Sequence, residues 1–257
     1  MKRTAALFIF TILFTFFSTN TFAWGKRGHE MVAQIAFHYL DSATKVKVQK
    51  YLGNLSIEEA ANWMDDERSN SYYNYMRTWH YMDVDKGQEY KPTAERNLIT
   101  VLYSAINDLK TLQNLSKKEI KRDLLLIFHL VGDLHQPLHV GYSVDKGGNT
   151  INVRSAGFSS NLHSTWDTEI IENQKIQTAD CIKLAASMDS NEIKQIKQIQ
   201  VMKWMIQSRS NLNTVYNFAG NNFLDQNYVD SGATIIKKQL LQAGLRLASI
   251  LEMAFKS

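Results

Sequence analysis

His129-Leu130-Val131-Gly132-Asp133-Leu134-His135-Gln136-Pro137-Leu138-His139 is the stretch on which the reading of the chain turns. His129 and Asp133 stand four residues apart, a spacing that puts both side chains on one face of a helix, where two ligands can hold one metal ion. Pro137 ends that helix, because a proline inside it removes a hydrogen bond and clashes with the preceding turn, and His139 just beyond is released toward a second metal. Outward from this stretch the pattern stays helical. The chain has two prolines, Pro92 and Pro137, and its apolar residues recur every three to four positions. A helix is expected from about Gly28, with Val32, Ile35, Ala36, Tyr39 and Leu40 as its apolar face, and others at about 42–52, 56–65, 93–113, 117–136, 163–172, 176–189, 190–211 and 229–255. Ser56 with Glu59 and Ser116 with Glu119 read as capping starts. The one strand signal is Thr150 to Arg154 after the turn sequence Gly147-Gly148-Asn149, so the fold class is all-α, a single compact helical domain with a metal-lined cleft and at most a short β-hairpin.

Length and composition bound the reading. At 257 residues the chain can bury one core, and no repeat, low-complexity tract or linker divides it. Lys2 and Arg3, the apolar run from Ala5 to Phe17 and the small-residue site Thr21-Phe22-Ala23 read as a cleaved signal peptide over 1–23, which places the mature domain at 24–257. The apolar run is shorter than the ~20 residues a membrane-spanning helix needs, so no membrane anchor is expected after cleavage. The formal charge is +4 and falls to +2 once Lys2 and Arg3 are removed, too little to argue for a nucleic-acid partner by itself. Cys181 is the single cysteine, so an exported protein of this kind must be stabilised by packing and by bound metal rather than by disulfides. Asn54-Leu55-Ser56 and Asn114-Leu115-Ser116 match the glycosylation sequon, but the short basic signal and absent disulfides look bacterial, and the expected destination is the periplasm or the medium.

A lone His-x-x-x-Asp pair on a helix is more often a hydrogen bond than a metal site. Accumulation changes that weighting. His163 and Asp167 repeat the spacing on another helix, His139 adds an imidazole, and Asp65, His80 and His29 bring the set to five histidines and three aspartates. Imidazole nitrogens and carboxylate oxygens are the ligands zinc accepts where a catalytic water keeps its own place, and the lack of cysteine ligands argues against a purely structural zinc knot.

Seven pieces, WGKRGH at 24–29, WMD at 63–65, WHYMD at 79–83, HLVGDLHQPLH at 129–139, GGN at 147–149, HSTWD at 163–167 and AGLRLA at 243–248, together resemble the zinc-dependent single-strand nucleases of the S1/P1 type, within the phospholipase C/nuclease superfamily. The resemblance implies three zinc ions. One would be held by the amino nitrogen and carbonyl oxygen of Trp24 with His29 and Asp133, a neighbour by Asp65, His80 and His129 with Asp133 bridging, and a third by His139, His163 and Asp167. It favours Asp65 over the adjacent Asp66 by the spacing from Trp63. It also implies hydrolysis of single-stranded DNA and RNA to 5′-phosphate products by a metal-activated hydroxide, with the third ion at the departing 3′-oxygen, and 3′-nucleotidase activity. Arg68 and Asn149 are its candidates for touching the scissile phosphate, with a surface arginine and a turn asparagine as the plain alternatives. Tyr81 and Asp83 are its candidates for base recognition, Tyr81 by stacking on an unpaired base. Between His139 and Asn149 the spacing is one residue longer than in fungal members, and the cysteine pairs of fungal and plant members are missing. A phospholipase C sharing the metals is the nearest rival, which Asp167 disfavours, since the bacterial phospholipases carry glutamate there. A non-catalytic metal-binding protein is the rival from another class. No stable protein partner is implied.

Overall fold

The structure, a computed structural model, describes residues 24–256; the expected signal peptide, residues 1–23, lies outside them. Five helices carry or frame the region of interest: α1 (Lys26–Tyr39), α2 (Ser42–Leu52), α3 (Ile57–Asp66), α4 (Leu98–Lys110) and α5 (Lys117–Leu134). Each starts where the sequence supplies a cap or a glycine. Ser56 accepts from Glu59 N while the Glu59 carboxylate takes the Ser56 N–H, and Ser116 with Glu119 does the same at the head of α5.

The long C-terminal helix Gln226–Phe255 packs along α1, while α3 and α4 both pack on α5. The core lies between these layers and holds Trp24, Phe128, Trp166 and Trp204, none more than 1% exposed. That arrangement leaves α5 buried from Asp123 to Leu134, so its polar residues face only other protein groups. The chain is all-α apart from one antiparallel pair, β1 (Asn152–Arg154) with β2 (Ser159–Asn161), in the register Asn152 to Asn161. No helix among the described residues is long and apolar enough to cross a membrane.

Several boundaries differ from the periodicity. The helix expected from 93 starts at Leu98, because the Asn97 side chain accepts from Ile99 N and Thr100 N and fixes the N-terminus there. The single helix expected over 190–211 is two, Ser190–Ile196 and Val201–Arg209. Gln200 leaves the helical region at φ −138° and ψ 75°, and the Gln198 carbonyl turns to accept from the Trp204 indole at 3.0 Å. Ser71–His80, which carries no apolar periodicity, forms a 3₁₀ helix. The stretch 162–173 is helical as expected, but Thr165–Glu169 within it is a π turn, a device that re-aims a side chain by one extra residue.

Candidate metal centre

Six segments converge on one buried point. α1 brings His29, α3 brings Asp65, the 3₁₀ helix Ser71–His80 brings His80, α5 brings His129 and Asp133, the turn Pro137–Val140 brings His139, and the 162–173 stretch brings His163 and Asp167. None of the eight residues is more than 6% exposed. They fall into three groups that could each hold a metal ion: His29, His129 and Asp133; Asp65, His80 and His129; and His139, His163 and Asp167, with ligand atoms in each group within 4.8 Å of one another. Asp133 is the hub. Its Oδ1 lies 3.3 Å from His29 Nε2, and its Oδ2 lies 3.3 Å from both His129 Nε2 and His80 Nδ1. Asp66, the rival to Asp65, points to solvent.

The hydrogen bonds around the cluster show what it lacks. His129 Nδ1 donates to Ala61 O at 2.8 Å, His139 Nδ1 to His80 O at 2.6 Å and His163 Nδ1 to Gly147 O at 2.6 Å. Each bond fixes the tautomer and turns the Nε2 lone pair inward. His139 Nε2 and His163 Nε2 then face one another at 3.1 Å with no proton between them. Burial keeps both neutral, lowering His139 to about 3 and His163 to about 4. Both oxygens of Asp65 and of Asp133, Asp167 Oδ2 and both nitrogens of His29 are buried without a hydrogen-bond partner. Two lone pairs in contact beside orphaned carboxylates repel unless a cation lies among them, and the donor set of nitrogen and oxygen suits zinc. At His129, burial opposes the charge, but the Asp133 and Asp65 carboxylates outweigh it and hold the ring up at about 9. A proton there stands in for the metal, which would displace it on binding. The residues present therefore fit a metal cluster.

Close backbone approach makes the cluster possible. A Cβ on Gly132 would stand 2.7 Å from His29 Nδ1 and 3.6 Å from the Trp24 indole, so glycine is what lets α1 reach the Asp133 turn of α5. Trp24 is fully buried beside His29, and Gly25 N donates to Asp167 O at 2.9 Å, tying the start of the described chain to the third group.

His80, His139 and His163 of the cluster line a cleft of about 660 Å³ together with Arg68, Tyr81, Asp83 and Asn149, and the other five cluster residues lie behind them. All four residues expected to touch substrate thus border the metal groups. Tyr81 is 44% exposed, so its ring is open to the cleft and not packed in the core. Burial and the neighbouring Asp145 push the Asp83 carboxyl up to about 6, against the pull of Arg209. Asn149 Nδ2 donates to Lys146 O at 2.7 Å, which leaves its buried Oδ1 without a partner.

Sequence reasoning missed several supports. Gln136 Nε2 donates to Asp167 Oδ1 at 2.5 Å while its Oε1 accepts from Leu138 N, so one side chain holds a ligand and the turn after Pro137. Its place inside the His-rich stretch was the only available signal. Arg209 donates to the carbonyls of Val140, Gly141 and Val84, clamping the His139 segment to the Asp83 segment. No local pattern marks it. Lys146 and Asn161 also line the cleft. His135 binds no cluster atom: its Nδ1 donates to Val131 O at 2.7 Å and its Nε2 accepts from Arg246 at 2.5 Å.

The family described as S1/P1 Nuclease matches residues 24–256. The chain belongs to the S1/P1 nuclease family. Among related proteins, Endonuclease 4 of Arabidopsis thaliana is 29% identical over 271 residues, 91% of this chain and 90% of that protein. Endonuclease 2 of the same plant is 27% identical over 286 residues, 97% and 96% of the two chains. Nuclease S1 of Aspergillus oryzae is 31% identical over 163 residues, 59% of this chain and 56% of that one. For an S1/P1 nuclease, a cleft bordered by buried histidines and aspartates is the candidate place for phosphodiester hydrolysis.

Proposed function

We propose that the chain is an exported zinc-dependent nuclease that hydrolyses single-stranded DNA and RNA to 5′-phosphate products and also acts on 3′-nucleotides. One observation carries the reading: three groups of inward lone pairs and orphaned carboxylates border a cleft whose walls present a cation and an exposed aromatic ring. Three zinc ions fit these groups. Trp24, His29 and Asp133 would hold the first, Asp65, His80 and His129 the second with Asp133 shared, and His139, His163 and Asp167 the third. His129 reaches both of the first two groups, but its Nε2 lies 3.0 Å from His80 Nδ1, which favours the second.

When bound, the ions supply Lewis-acid neutralisation of phosphate charge and acidify water toward a nucleophile at neutral pH. The remaining work falls to the chain. Asp65 and Asp133 would hold the catalytic pair of ions, since the Asp133 carboxylate reaches both His29 and His80. Arg68 at the cleft wall offsets charge that develops on the phosphate, as a fixed cation does in a water-poor site. Asn149 presents Oδ1 as an acceptor for a hydroxyl donor of the substrate or a water. Tyr81 offers its exposed face to a base, and a base can stack there only when unpaired, which selects single strands. Asp83 accepts from the edge of that base.

Removal of residues 1–23 in the periplasm or medium would leave the Trp24 amine free to join the first ion. The test compares protein beginning at Trp24 with a form carrying one extra N-terminal residue, measuring zinc per chain and hydrolysis of single-stranded DNA, RNA and a 3′-nucleotide. Three zinc ions and full activity are expected only in the first form. Equal zinc and equal activity in the two would sink the role of the Trp24 amine, and phospholipid hydrolysis without nuclease activity would overturn the substrate class.

A further inference from the structure

A second cavity, about 960 Å³ and so larger than the cleft over the metal groups, is a groove between the 3₁₀ helix Ser71–His80 and helices α4 and α5. One wall is a run of five aromatic rings. Trp63 meets Tyr73 at 5.2 Å, Tyr73 meets Tyr72 at 4.9 Å and Tyr75 at 6.3 Å, and Tyr75 meets Trp79 at 5.2 Å. Tyr72 is 75% exposed and Tyr75 56% exposed. Side chains of this size are left in water at a fold's expense unless something covers them. Most of these ring pairs meet edge-on, at 78° for Trp63 with Tyr73, 88° for Tyr72 with Tyr73 and 67° for Tyr75 with Trp79, so each contact takes up one ring face of the pair and leaves the ring that presents its edge with faces open.

The run begins beside the cleft. Trp79 precedes His80 and Tyr81, Arg96 lies over the Trp79 ring at 4.6 Å, and Leu98, two residues on, donates its N–H to Tyr81 O. The opposite wall carries Lys118 and Lys121 from the first turns of α5. Of the carboxylates that line the groove, Asp123 and Asp108 pair with Arg122 at 2.7 Å and 3.8 Å, the second Asp123 oxygen is buried without a partner, and Glu119 accepts from Ser116 N and the Ser116 hydroxyl, so four cations stand against three carboxylates. Arg96, Lys118 and Lys121 form no ion pair among the described residues, so the outward charge of the groove is positive.

We infer that this groove is an extension subsite for single-stranded nucleic acid, in which nucleotides remote from the scissile bond stack on Tyr72 and Tyr75 while their phosphates meet Arg96, Lys118 and Lys121. Open aromatic faces along a cationic groove are the means by which single strands are held without regard to sequence. The inference rests on the nuclease reading for what the strand is, but it concerns binding and not hydrolysis.

Two variants test it in the zinc-loaded protein: Tyr72→Ala with Tyr75→Ala, and Lys118→Ala with Lys121→Ala, three of the four at exposed positions and Lys121 half-buried. Binding of a fluorescent, hydrolysis-resistant phosphorothioate oligothymidylate is followed by anisotropy, and kcat and KM are measured on a long single strand and on a dinucleotide. The tyrosine pair is expected to weaken oligonucleotide binding roughly 10-fold or more and to raise KM for the long strand alike. The lysine pair is expected to flatten the salt dependence of binding, by about 0.7 in the log–log slope for each phosphate left without its lysine. Neither change touches dinucleotide hydrolysis. Wild-type affinity and KM in both variants overturn the inference, and a loss of self-association in sedimentation without loss of binding would reassign the patch to a protein interface. Absence of all hydrolysis, even of the dinucleotide, fails the nuclease reading instead, and the binding comparison still judges the groove.

Discussion

Gly132 shows how much can rest on a missing methyl group. Alanine at an interior helix position ordinarily stabilises by about 1 kcal/mol relative to glycine, yet here its Cβ would stand 2.7 Å from His29 Nδ1 and displace a metal ligand. Gly132→Ala is therefore expected to keep its helical content and lose metal, with activity falling about 10- to 100-fold, the range seen when groups that position ligands are altered. Metal analysis beside circular dichroism checks this, and full metal content would refute it. Asp83 makes a prediction of opposite character. Its carboxyl is pushed up to about 6 by burial and by Asp145, whereas in the unfolded chain it titrates near its ordinary value of about 4. Between those values the folded protein binds the extra proton, so this contribution to stability is whole below about pH 4 and is lost as pH rises through about 6. Asp83→Asn should raise the melting temperature at about pH 7.5 more than at about pH 4.5, while weakening base recognition. An identical difference at both pH values would exclude the linkage. At this scale the sequence was most legible: all eight candidate ligands named from spacing and resemblance meet at one point, and in the two pairs His129 with Asp133 and His163 with Asp167 helical spacing fixes the common direction. Gln136 and Arg209 were not legible, because what they bind is backbone, and backbone carbonyls carry no sequence signature.

The helix starts were readable where a serine and a glutamate three residues on form a cap, though not at Asn97, whose cap moves the start of α4 to Leu98. Ser116 with Glu119 and Ser56 with Glu59 appear at the caps where their spacing put them. Where tertiary contacts decide, reading stopped: the break between Ser190–Ile196 and Val201–Arg209 follows from a bond between the Trp204 indole and Gln198 O, and the π turn at Thr165–Glu169 has no composition of its own. The Val201–Arg209 helix nevertheless governs the cleft, since Arg209 at its end spans three carbonyls on two segments. A lysine offers one point charge and cannot reproduce that planar fork. Arg209→Lys should let the His139 and Asp83 segments drift apart, raising KM for single strands roughly 10-fold with a smaller change in kcat, since a misplacement of about 1 Å can cost up to ~100-fold. Steady-state kinetics on wild type and variant decide it, and unchanged KM would show the clamp to be dispensable. Ser116→Ala, at the exposed head of α5, should cost about 1 kcal/mol of stability and leave kcat alone, as a chemical melt would show.

Taken whole, the molecule is held by its helical layers and by the cluster at their centre. Without cations, orphaned carboxylates and facing lone pairs oppose the packing around them. A site filled at about 1,000 times its dissociation constant adds about 4 kcal/mol, and each kcal/mol moves the melting point of a chain this size by about 2–4 °C. Chelation should therefore lower the melting temperature by about 8 °C or more, readable by calorimetry, whereas a reductant should do nothing, because Cys181 is the single cysteine and is buried. An unchanged melt in chelator would mean that no metal contributes to folding. The packing of α1 against the 30-residue helix Gln226–Phe255 has one more consequence, in time rather than in space. During synthesis His29 emerges about 200 residues ahead of the helix on which α1 packs most extensively, so one face of α1 stays uncovered until that later stretch has been made, and the full seating of His29 waits on it.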